Sequence, residues 1–233
     1  MTSYKSMSDK PSVRSPWFWV PSLYFAQGIP YVAVMIVSVL MYKRLGVSNT
    51  DIALYTSWLN LPWVIKPFWS PFVDLLKTKR WWVVTMQLLI GAGLAGVAFT
   101  IPTTFFFQAS LAVFWLLAFS SATHDIAADG FYMLALDSHE QAFFVGIRST
   151  FYRIAIIAGQ GVLVMFAGFL ENSTGNIPLA WSVTFFILGG LFLALFLYHR
   201  YILPLPKGDK PSATVTPSTI LKEFFATFAS FFK

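Results

Sequence analysis

The chain has 233 residues, of which 57% are apolar, 18% aromatic and only 11% charged. A soluble domain carries about 25% charged residues, so this composition excludes a disordered chain, a coiled coil and an ordinary soluble enzyme. The net charge of +6 does not indicate nucleic acid, because the basic residues flank apolar runs, and the absence of cysteine excludes thiolate metal sites. We predict an all-α integral membrane protein with no cofactor, no metal and no nucleic-acid partner.

Long stretches without Asp, Glu, Lys or Arg divide the chain. One such stretch, residues 15–42, is 28 residues long, and another, residues 81–124, is 44 residues long. A helix needs about 20 apolar residues to cross the hydrocarbon core, so the longer stretch corresponds to two spans joined by a turn at 101–104. Period-two alternation is absent, which argues against a strand barrel. We predict six transmembrane helices at 17–42, 51–74, 82–101, 105–134, 146–170 and 178–200.

The distribution of Lys and Arg predicts the orientation. With the N-terminus inside, ten basic residues face the cytoplasm and only Lys43 and Arg44 lie outside. We therefore expect a multi-pass protein of the cell inner membrane, surrounded by the lipid bilayer, with both termini cytoplasmic. The predicted organisation is a tail at 1–16, a six-helix bundle at 17–200, a Pro-rich linker at 201–217 and an amphipathic interfacial helix at 218–233.

Ionisable side chains within predicted spans are candidate functional residues because burying a charge in lipid is costly. Asp125 and Asp129 lie four residues apart, on one face of the fourth span. Two carboxylates so close resist joint ionisation, so one could carry a proton. Lys66 and Arg153 lie at a similar predicted depth, and we assign these four residues to proton coupling and an inner gate. The alternative is that Asp–Lys and Asp–Arg bridges only fix helix packing; Arg148 is a further candidate.

Polar side chains on the first span form a second candidate feature. Such a stripe can line an aqueous cavity and stack against sugars or amides, although it can equally form hydrogen bonds between helices. We assign to a substrate cavity Tyr24, Gln27, Gly28, Tyr31, Ser121, Tyr152 and Gln160.

The three histidines carry weaker signals. His124 points about 100° away from Asp125 on an ideal helix and is expected to be a packing residue. His139 and His199 lie near predicted helix ends and are expected to be solvated. No residue is assigned a catalytic role.

In the loop between the second and third spans, Asp74 is followed by the bases Lys77, Lys79 and Arg80. This arrangement resembles the inter-helix signature of the major facilitator superfamily. Ser70 and Lys77 replace the two glycines of that signature. We assign Asp74 and the three bases to a gate in this loop.

Four further segments are distinctive: residues 24–30 (YFAQGIP), 61–74 (LPWVIKPFWSPFVD), 122–130 (ATHDIAADG) and 151–154 (FYRI) with Gly159. Together they resemble the AmpG muropeptide permeases, which belong to one family with the peptide and acetyl-coenzyme A transporters. His124 and Gly130 depart from the glutamine and alanine expected there.

The resemblance implies a twelve-span transporter of two six-helix bundles, each made of two inverted three-helix repeats, with substrate held between the bundles. This chain would be its N-terminal half, stopping in mid-architecture, and a second bundle would be its partner. The implied activity is proton-driven uptake of muropeptides, a small-molecule solute. The alternatives are a carrier of oligosaccharide or acetyl-coenzyme A, a membrane-embedded acyltransferase with His124 as base, or a non-transporting scaffold.

Overall fold

The computed structural model describes residues 15–210, and within that range every regular element is helical. Residues 1–14 of the predicted tail (1–16), residues 211–217 of the predicted linker (201–217) and the predicted amphipathic helix at 218–233 lie outside the described residues. Five continuous helices are long and apolar enough to cross a bilayer: Pro16–Arg44, Lys79–Thr100, Phe106–Ala135, Ser138–Thr174 and Ile177–Ile202. They coincide with five of the six predicted spans.

The first span is one continuous helix with a widened turn. It comprises α1 (Val20–Val32), a π-helical turn (Ala33–Val37) and α2 (Ser38–Arg44). Pro30 lies within α1, and because proline has no amide hydrogen, the helical ladder is interrupted there. The π turn follows three residues later, as π-bulges do where the regular i→i−4 pattern is disturbed.

The second predicted span is helical but broken. Its segments are α3 (Asn49–Thr56), a 3₁₀ turn (Ser57–Asn60), α4 (Leu61–Ile65), a 3₁₀ turn (Lys66–Phe68) and α5 (Ser70–Leu76). Prolines at 62, 67 and 71 stand at or next to the starts of the last three segments. Each removes an amide donor and disfavours continuation of the preceding helix, so the continuous helix expected over 51–74 does not form.

The remaining spans are α6 (Lys79–Thr100), α7 (Phe106–Ala135), α8 (Ser138–Ala158) continued through a π turn (Gly159–Leu163) into α9 (Val164–Thr174), and α10 (Ile177–Ile202). α6 packs between α7 and α10, and α1 packs against α8. The helices can pack closely where a glycine lies at the contact, because it has no side chain to separate the two backbones. A Cβ at Gly28 would lie 2.7 Å from Ala155 Cβ and 2.8 Å from the Tyr152 carbonyl oxygen.

One end of the bundle is held by an ion pair between the first and fifth spans. Arg44 Nη2 lies 2.5 Å from Glu171 Oε2, and the Trp181 indole donates to Glu171 Oε1 at 2.7 Å. Glu171 is thus satisfied from two sides although it is buried. The contacts of Glu171 with Arg44 and Trp181 hold α2 against α9 and α10 at the end opposite the candidate site.

Candidate functional site

Lys66 lies at the break in the second helical segment. It begins the 3₁₀ turn that joins α4 to α5, with Pro67 as the next residue. A break of this kind inside a membrane protein is tolerated where the backbone faces other protein or a cavity. Lys66 therefore extends from an irregular segment rather than from the side of a regular helix.

Asp125 faces Lys66 from the second half of α7. Lys66 Nζ lies 3.9 Å from Asp125 Oδ2, and the Asp125 residue is only 7% exposed. The distance is at the long end for an ion pair, so the contact is electrostatic rather than a tight hydrogen bond. The sequence-based prediction that these two residues lie at one depth agrees with this contact.

Several buried polar atoms beside this pair have no hydrogen-bond partner among residues 15–210. They are Gln27 Oε1, Ser121 Oγ, His124 Nδ1 and Asp125 Oδ1. Gln27 and Trp63 are the polar neighbours of the Asp125 carboxylate. Unsatisfied buried groups are costly and uncommon in a stable core. These four atoms belong to Gln27 on α1 and to residues 121–125 of α7, and the other three such atoms within residues 15–210 are the indole nitrogens of Trp19, Trp69 and Trp82.

Asp129, one turn further along α7, forms a second polar cluster. Its Oδ1 accepts a hydrogen bond from the Tyr24 hydroxyl at 3.0 Å and lies 3.1 Å from Arg148 Nη2. The Arg148 guanidinium also lies over the Tyr24 and Tyr132 rings, at 4.6 and 5.0 Å from their centroids. These contacts tie α1, α7 and α8 together. The Arg148 and Asp129 side chains are 29% and 38% exposed, whereas Lys66–Asp125 joins a 38% exposed lysine to an 11% exposed carboxylate.

Arg153, in contrast, is exposed and forms no ion pair within the described part of the chain. The expected bridge between Arg153 and the α7 carboxylates is absent there, and Arg148 provides that contact instead. The five-residue separation rotates Arg153 about 140° from Arg148 on a regular helix. Arg148 and Ala155 share the face that packs on α1, whereas Arg153 and Gln160 lie on the exposed side.

The other predicted cavity residues have different environments. Tyr31 packs edge-to-face on Trp63, with ring centroids 5.2 Å apart. Gly28 contacts the backbone at Tyr152, and Tyr152 itself is half-buried. Tyr24, Gln27 and Ser121 are buried. The polar stripe of α1 therefore lies against α7 and α8. Of the predicted cavity residues, Gln160 lies away from this stripe, on the exposed side of its helix.

The loop after the second helical segment carries its own ion pair. Asp74 bridges to Lys79, and Lys77 Nζ lies 5.9 Å from the Trp81 ring centroid. A cavity of about 530 Å³ opens beside this pair and reaches the Asp129 carboxylate of α7. It is lined by residues that include Lys66, Asp74, Lys79, Asp129 and Gly130. The Lys79 stem passes over Gly130, whose missing side chain leaves room for it.

Sequence reasoning missed a buried polar chain that crosses four helices. Ser22 Oγ lies 3.0 Å from His199 Nε2, His199 Nδ1 lies 3.0 Å from Gln87 Oε1, and Gln87 Nε2 lies 3.1 Å from His124 Nε2. The expectation that His199 is solvated was wrong: it is 0% exposed, because the end of α10 packs on α1 and α6. The prediction of a packing role for His124 agrees with its burial. The available signal was Gln87, an amide at the seventh position of the 44-residue uncharged stretch.

Comparison with known proteins is informative about the family. A model of the BT1 family matches residues 25–226. A putative transporter AmpG 4 of Rickettsia conorii is 29% identical over 181 residues, 71% of this chain and 40% of that protein. The anhydromuropeptide permease of Escherichia coli K12 is 27% identical over 151 residues, 61% of this chain and 30% of that protein.

A second putative transporter AmpG 4, from Rickettsia felis, is 27% identical over 224 residues, which is 88% of this chain and 50% of that protein. The chain thus spans at most half the length of these relatives. The resemblance to AmpG-like permeases inferred from short segments is confirmed by these matches.

Proposed function

This chain belongs to the BT1 family, and we propose that it forms part of a secondary active transporter for anhydromuropeptides or related sugar–peptide solutes, driven by protons. Relatives named as AmpG transporters and as an anhydromuropeptide permease support the solute class. The single observation that carries the coupling proposal is the buried Asp125 carboxylate facing Lys66 at 3.9 Å inside a membrane span.

The Lys66–Asp125 pair supplies two states that a proton can select. When Asp125 is ionised, the attraction of Lys66 holds α4 against α7, and the low dielectric strengthens it. When Asp125 takes a proton, that attraction is lost and Lys66 is released. Such a bistable contact between two spans is what a change in access to the site requires.

The charge of Lys66 also favours a proton over a sodium ion. A sodium ion bound at the Asp125 carboxylate would lie close to the Lys66 ammonium and would be repelled by it. A proton is covalently bound to the carboxyl oxygen and leaves no second full charge beside the lysine. Arg148, 3.1 Å from Asp129, would repel a sodium ion at that carboxylate in the same way.

Recognition of the solute is assigned to the polar and aromatic side chains around the pair. Tyr31 and Tyr152 offer ring faces and hydroxyls suited to sugar rings, and Gln27 has an unpartnered oxygen within the described residues. A second bundle would supply the opposite wall. An acyltransferase is disfavoured because His124 is fully buried and its Nε2 is engaged by Gln87.

Uptake by vesicles tests this proposal. Membrane vesicles from cells that express the complete gene are given labelled anhydromuropeptide, with an imposed inward proton gradient, with a sodium gradient, or with a protonophore. We expect accumulation with the proton gradient alone and its collapse on adding the protonophore. Equal accumulation with no gradient, or with sodium only, would refute proton coupling. Accumulation of labelled acetyl-coenzyme A instead would refute the solute class.

A further inference from the structure

A basic pocket lies at the end of the bundle that holds the α6 N-terminus, and of the residues assigned above to the loop gate its described lining includes only Arg80. It has a volume of about 680 Å³ and lies between the start of α6, the end of α10 and the segment that follows α10. Four basic residues line it: Arg80, Arg200, Lys207 and Lys210. We propose that this pocket binds the headgroup of an anionic phospholipid.

The charge of the pocket is favourable for a phosphate group. Arg200, Lys207 and Lys210 are exposed, and none of the three forms an ion pair within the part of the chain that the structure describes. The Arg80 side chain also lines the pocket, and its guanidinium donates hydrogen bonds to the carbonyl oxygens of Leu203 and Arg200. Basic pockets between helices at a membrane surface favour anionic headgroups.

The one acid in the lining does not oppose this. The Asp209 carboxylate accepts hydrogen bonds from the backbone amides of Lys79 and Arg80, at 2.6 and 3.0 Å. It therefore caps the positive end of the α6 dipole. The same contacts fix the segment after α10 against α6, which holds Lys207 and Lys210 beside Arg200.

The walls of the pocket change from polar to apolar along the helices. Val84, Leu88 and Phe196 line its deeper part, one to two turns from the charged ends of α6 and α10. Leu88 is nine residues from Lys79, about 13 Å along the axis. Trp81 and Tyr201 lie at the level of the basic residues and are exposed, as aromatic anchors at a membrane interface are. A free phosphate ion would use only the polar end, whereas a phospholipid would use both.

Lipid retention measured by native mass spectrometry tests the proposal. The purified chain is mixed with phosphatidylglycerol, with phosphatidylethanolamine or with inorganic phosphate. We expect selective retention of phosphatidylglycerol. The triple variant Arg200→Gln, Lys207→Gln, Lys210→Gln should weaken that retention by at least about tenfold. Lys207→Arg alone should retain the lipid, since it keeps the charge.

The matched control removes three cations elsewhere, at Lys5, Lys10 and Arg14, each changed to Gln. It lowers the net charge equally and should leave retention within about twofold of the unmodified chain. Equal loss in the control, equal retention of phosphatidylethanolamine, or displacement of the lipid by millimolar phosphate would each overturn the proposal. So would retention that appears only after residues 211–233 are deleted, because that segment would then be the occupant.

Discussion

Arg148 and Arg153 lie five residues apart, on two different faces of α8. Arg148 contacts Asp129, Tyr24 and Tyr132, whereas Arg153 is exposed. We expect Arg148→Gln to lower the stability of the purified protein by about 1 kcal/mol, through loss of a partly exposed ion pair and of two cation–π contacts. The melting temperature in detergent measures this.

Arg153→Gln is the matched control, because it removes the same charge from the same helix. Its melting temperature should stay within about 1 °C of the unmodified chain, since surface substitutions change stability little. A drop equal to that of Arg148→Gln would show that the assignment of faces on α8 is incorrect.

For the ionisable residues, sequence reasoning predicted the depth in the membrane better than the side of the helix on which each side chain lies. Runs of uncharged residues place Lys66 and Asp125 at one level, and the structure brings them to 3.9 Å. The choice between Arg148 and Arg153 depends on how α8 is rotated against α1, which a single helix does not reveal. Gly28 and Gly159 carried part of that information, because each meets a neighbour where a side chain would clash. His199 shows a second limit: its burial depends on α1 and α6, which are distant in sequence.

At the scale of helices, the contact between α1 and α8 depends on glycine. A Cβ at Gly28 would lie 2.8 Å from the Tyr152 carbonyl oxygen, which cannot rotate away. We expect Gly28→Ala to separate the helices and to destabilise the protein by about 1–3 kcal/mol. Thermal unfolding followed by circular dichroism gives the measurement.

Gly146→Ala on α8 is the control for this change. Among residues 15–210, no atom outside its own stretch of helix lies within 4 Å of the added Cβ, so alanine should be neutral or stabilising by up to about 1 kcal/mol. If both variants melt alike, the close approach at Gly28 does not contribute to stability.

The broken second segment shows which element-level features can be predicted. Its overall helical character follows from its apolar residues, but its breaks depend on Pro62, Pro67 and Pro71. Prolines in membrane helices are compatible with either a kink or a break, and packing decides which forms. Lys66 lies in one of these breaks and faces Asp125 of α7, so the segment that sequence reasoning treated as a continuous helix contributes a candidate site residue from its irregular part.

For the whole molecule, the predicted orientation can be tested by cysteine labelling, because the chain has no cysteine of its own. Ser173→Cys and Ser138→Cys each place a thiol on an exposed helix end. From the Lys and Arg distribution, a membrane-impermeant maleimide should label position 173 from outside intact cells, and position 138 only after permeabilisation. Labelling of position 173 only from the cytoplasm would show that the predicted topology is inverted.

A second whole-molecule prediction concerns the partner bundle. A cavity between two bundles is incomplete with one, so vesicles that contain only this chain should not accumulate labelled anhydromuropeptide. Co-expression with a complementary six-helix bundle should restore accumulation. Uptake by demonstrably monomeric chain would contradict the requirement for a partner.

The central claim is that Asp125 couples the proton gradient to transport, and substitution of this one carboxylate tests it most directly. Vesicles with Asp125→Asn are compared with vesicles carrying Asp51→Asn, which removes an exposed carboxylate in the first turn of α3, outside the site. Gradient-driven accumulation and gradient-independent counterflow of labelled anhydromuropeptide are measured in both. We predict that Asp125→Asn abolishes accumulation and retains counterflow, while Asp51→Asn keeps both. Normal gradient-driven accumulation by Asp125→Asn would contradict the claim.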